Sequence, residues 1–186
     1  MGKLTIHETP MNGLYVVETE PFVDHRGAFA RWYCEEELAE VISERRIKNV
    51  NISRTAKAGS IHGMYFQRPP HAEMGMVRCI KGRGFDVTID LQKKAETYLK
   101  WYGVELSETN MKLFGIPEGF AHGFQTSENN VEMHYLHTEF YNKTSEGAIR
   151  YNDPSVSIQW PKVITEVSEK DASYPYIDGT FSGVIL

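Results

Sequence analysis

Lys81-Gly82-Arg83-Gly84-Phe85-Asp86-Val87-Thr88-Ile89-Asp90-Leu91 alternates strictly after its two glycines: Phe85, Val87, Ile89 and Leu91 are apolar, and Asp86, Thr88 and Asp90 are polar. A period of two is the signature of a β-strand with one apolar and one polar face. The glycines in front of it predict a hairpin connection from a strand over Met76 to Ile80. Asp86 and Asp90 read either as a catalytic carboxylate pair or, as is commoner, as a solvated face. Further along, Leu113 to Ile116 leads into Pro117-Glu118-Gly119, a turn in which Pro presets φ and Gly takes positive φ. Val131 to Tyr141 is another long strand, with Met133, Tyr135, His137, Glu139 and Tyr141 on one side. Tyr, His, Glu and Tyr are poor material for a dry core, so that side faces either solvent or a wet pocket in a barrel mouth.

Helical spacing is scarce. Leu38, Val41 and Ile42 fall at i, i+3 and i+4 within Glu35 to Arg46, and Ser168-Glu169-Lys170-Asp171 resembles a capping pattern at the start of a short second helix. Many short strands at roughly ten-residue spacing with few helices predict an all-β fold, a β-sandwich or barrel with one or two short helices.

A chain of 186 residues suits one domain, here 1–186, and no linker, low-complexity stretch or long-period repeat divides it. A hydrophobic share of 41% and a charged share of 24% belong to an ordinary soluble globular chain. The net charge of −5 argues against nucleic acid as a partner, which needs clustered Lys and Arg, while one nucleotide diphosphate requires only a few local cations. Cys34 and Cys79 are expected to be free thiols in a reducing compartment. No apolar run suits a signal peptide or a membrane span, so a cytoplasmic location is expected.

Six ordered motifs carry a family resemblance. They are Phe22-Val23-Asp24-His25-Arg26-Gly27-Ala28-Phe29, Asn49-Val50-Asn51-Ile52-Ser53, Gly82 to Asp90, Ile116-Pro117-Glu118-Gly119-Phe120-Ala121-His122-Gly123-Phe124, Tyr151-Asn152-Asp153-Pro154 and Ile158-Gln159-Trp160-Pro161. Together they resemble the dTDP-4-dehydrorhamnose 3,5-epimerase family, metal-free jelly rolls of cupin type. The resemblance implies a nucleotide-linked 4-keto-6-deoxysugar as substrate, no cofactor, and a homodimer in which N-terminal strands join the partner's sheet. It also implies a reaction in which a histidine removes a proton beside the ketone, a tyrosine returns one on the opposite face, and a lysine steadies the enolate oxygen. Position by position, the acid maps to Tyr135 and a second pocket tyrosine to Tyr141. His122, the strand carboxylate Asp86 and the base-orienting Asp171 are kept, as is Gln67. Nucleotide contacts are implied for Arg26, Asn49 and Asn51.

Four positions depart from the pattern. Ile61-His62-Gly63-Met64-Tyr65-Phe66-Gln67 stands where the family has Arg-Gly-Leu-His-Tyr-Gln, so Tyr65 replaces the base and His62 the arginine. Gly75 replaces the lysine, and Arg31 stands where an acidic residue is usual. An ordinary tyrosine is ionised to only about one part in a thousand at neutral pH, so the usual mechanism does not transfer unchanged. His62 then reads as a phosphate contact, a replacement base, or a plain strand histidine; His137 reads as a base acting from a new direction or as an exposed strand residue. No metal is expected: His122 lies in a pattern that supplies a ligand in other cupins, but Met64 stands where the H-x-H partner would be. The leading reading is an isomerase acting at C3, C5 or both of a CDP- or dTDP-linked 4-keto-deoxysugar, with altered acid–base machinery. The alternatives are a non-catalytic nucleotide-sugar-binding homologue and a cupin ketoisomerase.

Overall fold

The computed structural model describes residues 3–186. In chain order its elements are β1 (Leu4–Glu8), β2 (Tyr15–Thr19), β3 (Phe22–Asp24), β4 (Gly27–Phe29), α1 (Ala39–Ile42), β5 (Asn49–Thr55), β6 (Ser60–Gln67), β7 (Gly75–Lys81), β8 (Arg83–Asp90), β9 (Trp101–Ser107), β10 (Leu113–Ile116), β11 (Phe120–Thr126), β12 (Val131–His137), β13 (Glu146–Ala148), β14 (Glu166–Val167) and α2 (Glu169–Ser173). Two sheets form the body, one ordered β1-β2-β10-β7-β12-β5 and the other β13-β6-β11-β8-β9, with β14 also on β6 and β3-β4 a separate hairpin. This is the β-sandwich that the alternating segments imply.

Three apolar clusters explain the layering. Val16, Val77, Phe114 and Met133 from the first sheet meet Leu106, Phe120 and Phe124 from the second. On the outer face of the first sheet, Leu38, Val41 and Ile42 cover Val17, Met76, Leu113 and Leu136. On the outer face of the second, Met64, Val87 and Ile89 pack against Ile149, Val156 and Val184 of the C-terminal region. The apolar side of β8 therefore faces outward onto that covering segment. Its polar side, Asp86, Thr88 and Asp90, turns inward and is at most 1% exposed. The expectation of a solvated carboxylate face is thus corrected, because each group has found a partner inside. Asp90 accepts from Thr97 Oγ1 at 2.5 Å and from the Gln92 amide at 2.8 Å, while Asp86 receives His122.

Three local readings also change. The segment expected to be helical over 35–46 forms an α-helix only at Ala39–Ile42, preceded by a turn in which the Leu38 N–H donates to the Cys34 carbonyl. The Glu37 carboxylate, available in principle to cap a longer helix, is instead held by the Leu4 amide and by Arg31, and Ser43 leaves the helix at φ 55°. The Gly82 turn is not a hairpin: β7 pairs with β10 and β12, and β8 with β11 and β9, so the turn is a corner between sheets. Positive φ (72°) at Gly82 lets the chain make that corner in one residue. Finally, β12 ends at His137 rather than Tyr141. Thr138 turns its hydroxyl onto the Met74 backbone, and Tyr141 reaches the cavity from a loop, 67% exposed. The second helix forms as its capping pattern suggests, with Ser168 accepting from the Asp171 amide at 3.0 Å.

Candidate active site

The cavity lies between the sheets and measures about 550 Å³, room for a sugar and part of a nucleotide. One wall comes from β5, β7 and β12, with Asn51, Ser53, Gly75, Val77, Tyr135 and His137; the other comes from β6 and β11, with His62, Tyr65, His122 and Phe124. The first wall follows simple alternation. Asn51 and Ser53 of β5 point inward while Val50 and Ile52 are exposed at 65% and 49%.

The second wall does not. His62 and Tyr65 are three residues apart, which a regular strand would place on opposite faces. A register shift against β11 pairs His122 with Tyr65 but Gly123 with Gly63, so one extra residue enters β6. That bulge returns both side chains to the cavity.

Tyr135 is the central polar group of the first wall. Its hydroxyl is 2.7 Å from Ser53 Oγ, and burial pushes its phenol well above the ordinary tyrosine range, with Ser53 opposing. It is a neutral proton donor. Around it stand His122, with ring centroids 6.3 Å apart, and His137, 6.2 Å away and nearly parallel at 19°. His122 Nε2 lies 2.7 Å from Asp86 Oδ1. Burial raises the pKa of that carboxyl, the histidine opposes the rise, and Oδ2 has no partner among the described residues.

Across the cavity, Tyr65 donates to Asp171 Oδ1 at 2.5 Å, and burial followed by that hydrogen bond drives its pKa up as well. A phenol held in this way is no base at neutral pH. Lys170, ion-paired with Glu146, lies 5.3 Å from the Tyr65 ring centroid, and Tyr141 also reaches Glu146, at 2.6 Å. His62 differs from Tyr65. Its Nε2 is 3.0 Å from Thr55 Oγ1, its ring stacks on Phe124 with centroids 4.8 Å apart, and burial lowers its pKa, with Asp171 opposing. At neutral pH it is a neutral imidazole able to accept a proton.

The fold belonging to these residues is that of a known group of enzymes. The sequence profile of the dTDP-4-dehydrorhamnose 3,5-epimerases matches residues 8–178. This chain belongs to that family. The family's enzyme from Salmonella typhimurium is 36% identical over 94% of this chain and 96% of its own length. Among solved structures, the enzyme from Elizabethkingia anophelis superposes with a TM-score of 0.88 at 35% identity, covering 96% of this chain and 98% of the other. The dTDP-6-deoxy-D-glucose-3,5-epimerase of Legionella pneumophila, solved with dTDP-4-keto-L-rhamnose, superposes with a TM-score of 0.90 at 30% identity, covering 98% and 99%.

Of the candidate site residues, the cavity gathers Tyr135, His122, Asn51, Gln67 and Tyr141, which the resemblance implies, together with the departures Tyr65 and His62 and the strand residue His137. Asp171 and Asp86 stand behind Tyr65 and His122. Gln67 acts as a clamp: its amide donates to the carbonyls of His71 and Phe140 and accepts from the Asn142 N–H, fixing the loop that follows β12. Arg26, Arg31 and Asn49 lie outside the cavity of the single chain. Arg26 holds Asp24 at 2.6 Å on the exposed β3–β4 hairpin, Arg31 pairs with Glu37 at 2.8 Å, and Asn49 donates to the Glu139 carbonyl. Sequence reading missed Thr55, Glu73 and Lys170. Thr55 was accessible in principle, since it continues the series Asn51, Ser53; Glu73 lies in the loop before β7 and Lys170 in α2, where strand alternation carries no signal. Among the described residues no group of three His, Cys, Asp or Glu side chains converges on a metal position, both cysteines are free, and no helix is long and apolar enough to cross a membrane.

Proposed function

We propose that this epimerase-family protein is an isomerase that removes and returns a proton at C3, C5 or both of a CDP- or dTDP-linked 4-keto-deoxysugar, with His62 as base and Tyr135 as acid. One observation carries the reading: an imidazole on the second sheet, His62, and a phenol on the first, Tyr135, face the same cavity. In the tautomer whose Nε2–H donates to Thr55 Oγ1, the Nδ1 lone pair of His62 takes the proton made acidic by the adjacent ketone. Tyr135 supplies a proton from the opposite wall. Tyr65, kept neutral by burial and by Asp171, forms part of the sugar-binding wall, and Asn51 supports binding of the substrate within the cavity.

The pH profile follows from these groups. Burial disfavours the imidazolium of His62, so its base form survives to lower pH than the ordinary 6.5. Solvent deuterium wash-in at C3 or C5 should therefore rise with pH through a limb centred below 6.5. It should then stay level well into the alkaline range, because Tyr135 keeps its proton. A limb centred at or above pH 7 would remove His62 from the base role. Binding without any wash-in would favour the non-catalytic alternative.

A homodimer is proposed on separate grounds. The β3–β4 hairpin leaves Phe22, Val23 and Phe29 at 62–67% exposure, and β5 ends its sheet with Val50 and Ile52 outward. An open edge beside exposed apolar side chains calls for a covering partner, and a second copy of the chain supplies one. Light scattering at micromolar concentration should give twice the chain mass, and Val50→Lys with Ile52→Lys should give one.

A further inference from the structure

We infer that His137, buttressed by Glu73, is the group that holds the enolate oxygen during the isomerisation; this deepens the function proposed above and rests on it. Taking a proton from the carbon beside a ketone moves an electron pair onto the carbonyl oxygen, and a donor or cation must meet the charge there. Several other polar atoms facing the cavity already have protein partners. His122 Nε2 is on Asp86, His62 Nε2 on Thr55, Tyr135 on Ser53, Tyr65 on Asp171 and Lys170 on Glu146. His137 turns Nδ1 to the Glu73 carboxylate at 3.2 Å, which leaves Nε2 on the far side of the ring for a ligand. The Nδ1 contact is close but lacks hydrogen-bond alignment, so Glu73 flanks the ring without locking it in one direction.

The neighbouring strand opens the way. His137 is the register partner of Gly75, so a side chain at 75 would rise on the same face beside the imidazole. A Cβ placed on Gly75 meets nothing within 4 Å. The absence of a side chain there leaves His137 facing open cavity, next to Tyr135 on the same strand face.

In the reaction, His62 takes the C–H proton and the C–H electron pair forms the new C=C bond to C4. The C=O π pair moves onto oxygen, where His137 donates Nε2–H from the ring edge opposite Glu73. The pair then returns, carbon takes a proton from Tyr135, and the ketone re-forms. One proton has left and one has arrived, and His62 and Tyr135 re-equilibrate with solvent.

The test measures deuterium wash-in from D2O into CDP- and dTDP-linked 4-keto-6-deoxyhexoses, beside calorimetric binding of CDP and dTDP. His137→Gln should lower wash-in at least about a hundredfold, the loss expected for one oxyanion donor, with nucleotide binding unchanged. Adding Gly75→Lys to that variant should recover at least about tenfold, because an ammonium from the partnered position supplies a donor to the oxygen at the same place. A lysine, protonated at neutral pH, cannot restore a missing base, so this recovery separates an oxyanion role from a base role. Glu73→Gln, which leaves the imidazole in place, should lower wash-in about tenfold and serves if His137→Gln does not fold. Full wash-in in His137→Gln or in Glu73→Gln, or no recovery with Gly75→Lys, would overturn the assignment while leaving the isomerase reading intact. Absence of wash-in in the unaltered protein with every probe would overturn both.

Discussion

His62→Gln is expected to reduce deuterium wash-in by about a hundredfold or more, the scale of a lost general base, and Tyr65→His in the same chain is expected to restore most of it. The loss follows from chemistry: glutamine keeps a polar contact near Thr55 but offers no basic nitrogen. The recovery follows from Asp171, which now accepts the Tyr65 hydroxyl at 2.5 Å. The imidazole introduced by Tyr65→His would donate one ring N–H to that carboxylate and present the other nitrogen to the cavity, a base with its orienting group already built. Measuring wash-in with the single and double variants on a dTDP-linked 4-keto-6-deoxyhexose decides the matter. If His62→Gln exchanges at the rate of the unaltered protein, the base lies elsewhere. If Tyr65→His gives no recovery although nucleotide binding persists, the β6 bulge does not aim position 65 at the sugar.

Tyr135→Phe should be comparably damaging for the opposite reason. The phenol is the acid, and phenylalanine fills the same space while removing the proton. Net epimerisation should fall by about two to four orders of magnitude. Exchange at the carbon facing His62 should be less affected, because deprotonation and return on one face need only the base. Product chirality and deuterium content measured in one sample separate the two. Equal loss of exchange and inversion would mean that Tyr135 acts on both faces or that the cavity has collapsed. Removing the hydroxyl also leaves Ser53 Oγ without its 2.7 Å partner, so thermal stability should be recorded alongside.

The strand over Phe85 to Leu91, the turn before Phe120 and the cap at Ser168 are local events, and their periods and turn residues specify them. Alternation along β12 likewise puts Tyr135 and His137 on one side, but that this side faces the cavity, with Asn51 beside it on β5, is decided by the sheet pairing. Motif spacing is enough to mark the chain as an epimerase relative and to mark Tyr65 and Gly75 as its departures. Other features depend on contacts between segments far apart in sequence. Whether Asp86 meets solvent or His122 depends on which face of β8 the C-terminal segment covers. Whether Gly82 makes a hairpin or a corner depends on which strands the two flanking segments pair with. The bulge that sets His62 beside Tyr65 exists only against β11. Glu73 reaches His137, and Thr55 reaches His62, through sheet packing and not through proximity alone. Period and turn chemistry act over a few residues, whereas pairing, burial and the resulting proton affinities are properties of the assembled sheets.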